Sequence, residues 1–93
     1  MIDSPKFKLA LQVAADAERT APRDNCVLQV CEQLKRKGFP ASRYETERKP
    51  PPKVGDEFGE ANEFIVVWVG SVKNGLPAYN GFRSVVLVDR KYF

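Results

Sequence analysis

Apolar residues recur at helical spacing over the first part of the chain, up to Gly38. Ser4 and Pro5 are typical of a helix N-cap and of the first helical residue after it. The first apolar stripe consists of Phe7, Ala10, Leu11, Ala14 and Ala17, and the second of Val27, Val30, Cys31 and Leu34. Pro22 separates the stripes, and Gly38 suits a left-handed C-cap. The pattern therefore predicts a helical pair over residues 1–38.

The period changes from helical spacing to strand alternation after Gly38. We predict strands over Ala41–Thr46, Asn62–Val69 and Arg83–Arg90. The connecting segments 47–61 and 70–81 are rich in proline, glycine, asparagine and charge, which is typical of long loops.

The second of these strands is apolar on both sides. Strict alternation places Phe64, Val66 and Trp68 on one face, and Ile65, Val67 and Val69 on the other. A strand of this kind is central in its sheet or covered on both faces.

The order of these elements predicts a single α+β domain over residues 1–93. Its N-terminal helical pair packs on a small, mostly antiparallel three-stranded sheet that occupies residues 39–93. Because the helices cover one sheet face only, the second face has spare apolar surface. That surface suggests homodimerisation through the sheet as one hypothesis.

Composition is that of an ordinary globular domain, with 43% hydrophobic and 29% charged residues. The longest unbroken apolar run, Phe64–Val69, is far shorter than the roughly 20 residues of a membrane span. The N-terminus lacks a basic region followed by an apolar block, so we expect no secretory signal and no membrane partner.

The cysteine and histidine content limits which catalytic and metal-binding chemistry the chain can perform. Cys26 and Cys31 lie about 140° apart on one predicted helix, too far around the axis to form a disulfide with each other. We expect them to fill the core of an intracellular protein in a reducing compartment, such as the cytoplasm. The chain has no histidine, which excludes Ser-His-Asp and Cys-His catalysis and a conventional zinc site. We predict no catalytic residues, no metal and no cofactor.

Positive charge is concentrated in the segment Lys35–Lys53, which contains seven basic residues and two acids, in a chain of net charge +3. The candidate binding residues in this segment are Lys35, Arg36, Lys37, Arg43, Tyr44, Arg48, Lys49 and Lys53. Tyr79, in the loop 70–81, is a further candidate as an aromatic anchor.

Two kinds of macromolecular partner fit these candidate residues. We favour a protein, because acids interrupt the basic segment and the sheet has spare apolar surface. The chain would then act as a non-enzymatic interaction module, adaptor or inhibitor. The alternative is a nucleic-acid-binding domain, with phosphates contacting the basic side chains and bases stacking on Tyr44. No signature of a known nucleic-acid-binding motif accompanies the segment.

An acidic triplet at the end of the last predicted strand suggests a third, remote function. Asp89-Arg90-Lys91 has the form acid-x-lysine, and acids lie near the start of the preceding strand at Asp56, Glu57, Glu60 and Glu63. Paired carboxylates beside a lysine can hold Mg²⁺ and cleave phosphodiesters. We prefer the simpler interpretation that these are ordinary polar residues where a strand reaches solvent.

Three segments carry a resemblance to a known family. They are LKRKGFPAS at 34–42, FIVV at 64–67 and VLVD at 86–89. Together they resemble the plant PD-(D/E)XK nuclease-like family of unknown function, which shows a helix ending in Gly-Tyr-x-Ala, a strand like Tyr-Ile-Asp-Val and a later Val-Asp strand. The resemblance implies a nuclease-like, metal-dependent site. Val66 stands where the family pattern carries its strand aspartate, so one expected ligand is missing.

Overall fold

The computed structural model describes residues 3–21, 26–70 and 83–93. Its elements are α1 (Pro5–Thr20), α2 (Cys26–Arg36), β1 (Ala41–Thr46), β2 (Glu57–Phe58), β3 (Phe64–Gly70), β4 (Arg83–Asp89) and a final 3₁₀ turn (Arg90–Tyr92). The strands form one antiparallel sheet in the order β1-β4-β3-β2. The predicted α+β class with N-terminal helices is confirmed. The sheet has four strands rather than three, because β2 forms inside the segment predicted to be a loop.

Both helices form where their apolar spacing predicts them. The Ser4 hydroxyl accepts a hydrogen bond from the Phe7 N–H at 3.3 Å, and Pro5 occupies the first turn. Gly38 ends the α2 region with φ of +89°, a conformation that costs glycine little. The buried residues are Phe7, Ala10, Ala14 and Ala17 on α1, and Cys26, Val30, Cys31 and Leu34 on α2.

The two helices cover one face of the sheet and form the larger core with it. This core combines the buried helical residues with Ile65, Val67 and Trp68 of β3 and Val86 and Val88 of β4. The Trp68 indole N–H donates to the Glu18 carboxylate at 3.1 Å, which ties β3 to α1. Val30, Leu34 and Val88 are fully buried, so they mark the centre of this core.

A β-bulge at Val67 changes which side chains of β3 face the helices. The register pairs Val66 with Leu87 and Trp68 with Val86, which leaves Val67 as the extra residue. Val67 and Trp68 therefore both join the helix-side core. The strict alternation predicted for Phe64–Val69 holds as far as Val67 and is wrong for Trp68 and Val69, because the bulge shifts the alternation by one residue. The prediction of a central strand is confirmed, since β3 lies between β4 and β2.

The C-terminal residue packs against the start of the helical layer. The Phe93 ring lies 5.3 Å from that of Phe7 in an edge-to-face arrangement, and 5.8 Å from that of Phe39. The Ser4 hydroxyl donates to the Phe93 carbonyl at 3.1 Å. These contacts hold the segment after β4 on the helix side of the molecule.

Both cysteines are buried, as the sequence predicts, and they form no disulfide with each other. Burial raises the pKa of the Cys31 thiol, and the nearby charges of Lys35 and Arg43 oppose that rise only in part. A thiol with a raised pKa is a poor nucleophile at neutral pH, so Cys31 behaves as a core residue. Within the ranges that the structure describes, no helix has the length and apolar character needed to cross a membrane.

Candidate interaction surface

The second face of the sheet has its own small apolar cluster, and none of the described helices packs on it. We call this side the helix-free face. Its buried residues are Val66, Val85 and Leu87, and Phe58, Phe64 and Val69 pack against them while staying partly exposed. Tyr44 lies directly opposite Val85 on the neighbouring strand and is 52% exposed. Large apolar side chains on this face are thus left partly in contact with water.

A cavity of about 540 Å³ opens on the helix-free face. We call it the apolar groove. It is lined by Tyr44, Thr46, Arg48, Phe58, Gly59, Glu60, Phe64 and Leu87. Most of its wall is hydrophobic or aromatic, and a few polar groups lie at its rim, which is the usual make-up of a binding pocket.

The aromatic side chains in the groove hold one another in place. The rings of Tyr44 and Phe58 meet edge to face, with centroids 5.7 Å apart. The guanidinium of Arg48 lies 4.6 Å from the centre of the Phe58 ring, within cation–π range. The Arg48 N–H also donates to the Thr46 hydroxyl at 3.1 Å, which fixes the backbone where the chain leaves β1.

Phe58 reaches the groove because the segment between β1 and β3 folds back onto the sheet. The Gly55 N–H donates to the Val66 carbonyl at 2.8 Å, and the Val66 N–H donates to the Asp56 carbonyl at 2.9 Å. The short strand β2 then pairs Phe58 with Phe64. Gly59 follows with φ of +95°, a backbone conformation that residues with a side chain rarely adopt. The turn that positions Phe58 therefore requires glycine.

A second cavity, of about 330 Å³, adjoins the apolar groove through Arg48. We call it the proline cavity. Its lining residues are Arg48, Pro50, Pro51, Pro52, Lys53 and Asp56. The Lys53 N–H donates to the Asp56 carboxylate at 2.8 Å, and Pro52 is buried. The proline run, which lies in the segment predicted to be a long loop, thus forms the wall of a cavity.

Arg48 is the charged group that both cavities share. Arg43, Arg19 and Arg90 each form an ion pair with a carboxylate, but among the described residues Arg48 forms none. The Arg48 guanidinium instead lies over the face of the Phe58 ring. The Arg48 guanidinium therefore lies at the boundary of the two cavities with no carboxylate partner among the described residues.

The sheet separates the sequence-predicted binding residues into two groups. Lys35, Arg36 and Lys37 are exposed at the end of α2, on the helix side. Arg43 lies opposite Val86, also on the helix side, and pairs with Glu45 at 3.0 Å. Tyr44 and Arg48 reach the apolar groove.

The remaining candidates have mixed positions. Lys53 lines the proline cavity, and Lys49 is exposed on the segment that leads to it. Tyr79 lies outside the described residues. The basic segment is therefore continuous in sequence but does not form one surface in the described part of the chain.

Phe58, Phe64 and Leu87 are groove residues that sequence reasoning missed. A faint signal for Phe58 is present, because a lone aromatic between Asp56-Glu57 and Gly59-Glu60 is unusual in a solvated loop. Phe64 and Leu87 lie in strands whose two faces are both apolar, so the sequence does not distinguish the covered face from the open one.

The carboxylates that the sequence suggests for a nuclease site form hydrogen bonds and ion pairs with other groups of the protein. The Asp89 carboxylate accepts from the Lys91 N–H at 2.9 Å and caps the final 3₁₀ turn. Glu57 pairs with Arg90 at 2.6 Å, and the Glu63 carboxylate accepts from the Ala61 N–H at 2.9 Å. Across residues 3–21, 26–70 and 83–93, no three metal-ligating side chains come together. Val66, where the resemblance implies an aspartate, is fully buried.

The sequence matches no protein-family model, no curated protein and no solved structure.

Proposed function

We propose that this protein is a non-enzymatic interaction module that docks on another protein through the apolar groove of its helix-free face. The observation that carries the proposal is the partly exposed aromatic cluster of Tyr44, Phe58 and Phe64, beside a cavity of about 540 Å³. Aromatic anchors seated at apolar pockets supply most of the binding energy in protein interfaces. Rigid, half-buried rings lose little entropy when a partner covers them.

The chemistry of the groove also describes the partner segment. An apolar or aromatic side chain would fill the cavity, and a neighbouring carboxylate would meet Arg48 at the rim. We therefore propose an acidic, apolar segment of a protein as the occupant.

A small aromatic acid provides a direct probe of this chemistry. In heteronuclear NMR with millimolar indole-3-acetate, we expect shifts confined to Tyr44, Arg48, Phe58, Phe64 and their neighbours. Arg48→Gln should weaken the binding roughly two- to fivefold, which is the value of an exposed ion pair. Arg36→Gln, a matched change at the end of α2, should leave the affinity unchanged.

The neutral analogue indole-3-ethanol separates the contribution of the indole ring from that of the carboxylate. It should bind wild-type protein and the Arg48→Gln variant equally, because it lacks the carboxylate. Shifts that cluster on the helices, or an indole-3-acetate affinity that is insensitive to Arg48, would contradict the proposed groove chemistry.

Nucleic acid is the less favoured partner, because the basic side chains lie on opposite sides of the sheet and form no single positive surface in the described part of the chain. With fluorescent single- and double-stranded DNA and RNA, we expect no saturable binding at about 50 mM salt. Tight binding that collapses at about 200 mM salt would instead show that phosphate contacts dominate, and would replace the protein partner with a nucleic acid.

A further inference from the structure

The outer edge of β1 pairs with no other strand in the part of the chain that the structure describes. Its inner edge pairs with β4 along all six residues, from Ala41 opposite Val88 to Thr46 opposite Arg83. On its outer side, none of the described residues forms a backbone hydrogen bond with Ala41–Thr46. A free sheet edge of this length is a template for strand addition.

The sequence of β1 is complementary to itself in one antiparallel register. When Tyr44 lies opposite Tyr44 of a second copy, Arg43 lies opposite Glu45 of that copy, and the twofold axis repeats this pair. The same register places Ser42 opposite Thr46 of the second copy. Unlike charges, paired aromatics and paired hydroxyl side chains are each favourable cross-strand neighbours.

The neighbouring symmetric registers are unfavourable. A shift that centres the pairing on Arg43 puts the two Arg43 side chains opposite each other, and a shift to Glu45 does the same for the two carboxylates. Like charges directly opposite each other are destabilising. The charge pattern of β1 therefore selects the register centred on Tyr44.

The side chains already point in the directions that this register needs. Arg43 and Glu45 lie on the helix side, form an ion pair at 3.0 Å and remain 40% and 47% exposed. Exchanging the exposed pair within each copy for the two pairs between copies costs little. Tyr44 lies on the helix-free face, so the two rings would meet beside the apolar grooves.

We propose that two copies of this chain pair through the outer edges of β1, in the register centred on Tyr44, to form one continuous eight-stranded sheet. The twofold axis is perpendicular to the sheet, so both helical layers lie on one side and both apolar grooves on the other. The dimer presents two grooves on one surface, which allows bivalent docking. This interface is independent of the groove's occupant.

Charge reversal tests the register. By sedimentation at about 0.3 mM, where a weak interface is populated, we expect wild-type protein to approach twice the 10.5 kDa mass of one chain. Arg43→Glu alone and Glu45→Arg alone should both give monomers, because each creates like-charge pairs. The double variant Arg43→Glu/Glu45→Arg should restore the dimer, since it exchanges the charges without changing their pairing.

Cysteine cross-linking tests the geometry independently. Under mild oxidation, Tyr44→Cys should form a disulfide between copies, because cross-strand Cβ atoms lie about 5 Å apart in such pairs. Glu45→Cys is the matched control, since the two introduced thiols are then offset by two residues along each strand. Both native cysteines are buried, so they do not compete.

Three results would overturn the proposal. The first is a monomeric wild-type mass at about 0.3 mM, which would mean that Arg43 and Glu45 guard the edge against pairing. The second is a dimer that survives Arg43→Glu. The third is equal cross-linking at positions 44 and 45.

Discussion

Replacing Leu34 by alanine is expected to lower the free energy of unfolding by about 3 kcal/mol. Leu34 is fully buried between α2 and the sheet, and truncation there removes apolar contacts and leaves a cavity. A domain of this size is stable by only about 5–15 kcal/mol, so this loss is a large fraction of the total. Urea denaturation followed by the fluorescence of Trp68, the chain's one tryptophan, measures the change.

Leu28→Ala is the matched control for Leu34→Ala. It makes the same chemical change in the same helix, but Leu28 is 48% exposed. We expect it to change the free energy of unfolding by less than about 0.5 kcal/mol. Equal losses for the two variants would mean that α2 does not bury the face assigned to it.

Replacing Phe58 by alanine is expected to weaken the binding of the protein partner by about 2 kcal/mol or more, which is roughly thirtyfold in affinity. Phe58 touches Tyr44, supports Arg48 through its ring face, and lines the apolar groove. Its loss removes an aromatic anchor and frees two further groove residues to move. Isothermal titration of the isolated partner with wild-type and variant protein measures the change.

Folding must be separated from binding in this experiment, since Phe58 is partly buried. The Phe58→Ala variant should keep its far-ultraviolet circular dichroism and the emission of Trp68, which packs on the opposite face of the sheet. Arg48→Gln provides a second groove variant at an exposed position, with a smaller expected loss of partner affinity. Unchanged affinity in both variants would remove the groove from the docking surface.

The sequence was sufficient to predict the helices and the class of the fold. The stripes on α1 and α2 persist over several turns, and the capping residues Ser4 and Gly38 mark a start and an end. Helical periodicity of this length depends on local sequence, so it can be recognised without knowledge of the tertiary structure.

The bulge and the shortest strand could not be predicted in this way. Val67 is one valine within an unbroken apolar run, and its insertion reflects the pairing of β3 with β4 rather than a local preference. The strand β2 has only two residues, which is too short for an alternating pattern to be detected. Both features depend on partners distant in sequence, and both determine which side chains reach the helix-free face.

The candidate site was predicted only in part. Tyr44 and Arg48 stand out in the sequence and do reach the apolar groove. Their basic neighbours Lys35 and Arg43 were grouped with them by sequence proximity, but successive residues of a strand point to opposite faces, and α2 ends on the helix side. Charge density along a chain therefore does not predict charge density on a surface.

The most direct test of the docking surface is a side-by-side capture experiment in extract from the protein's own source. Wild-type chain, Phe58→Ala and Arg36→Ala are immobilised, and the retained proteins are quantified. We predict a protein that is retained by wild type and by Arg36→Ala but lost from Phe58→Ala. A protein lost from Arg36→Ala and retained by Phe58→Ala would place docking on the helix side and contradict the role of the apolar groove.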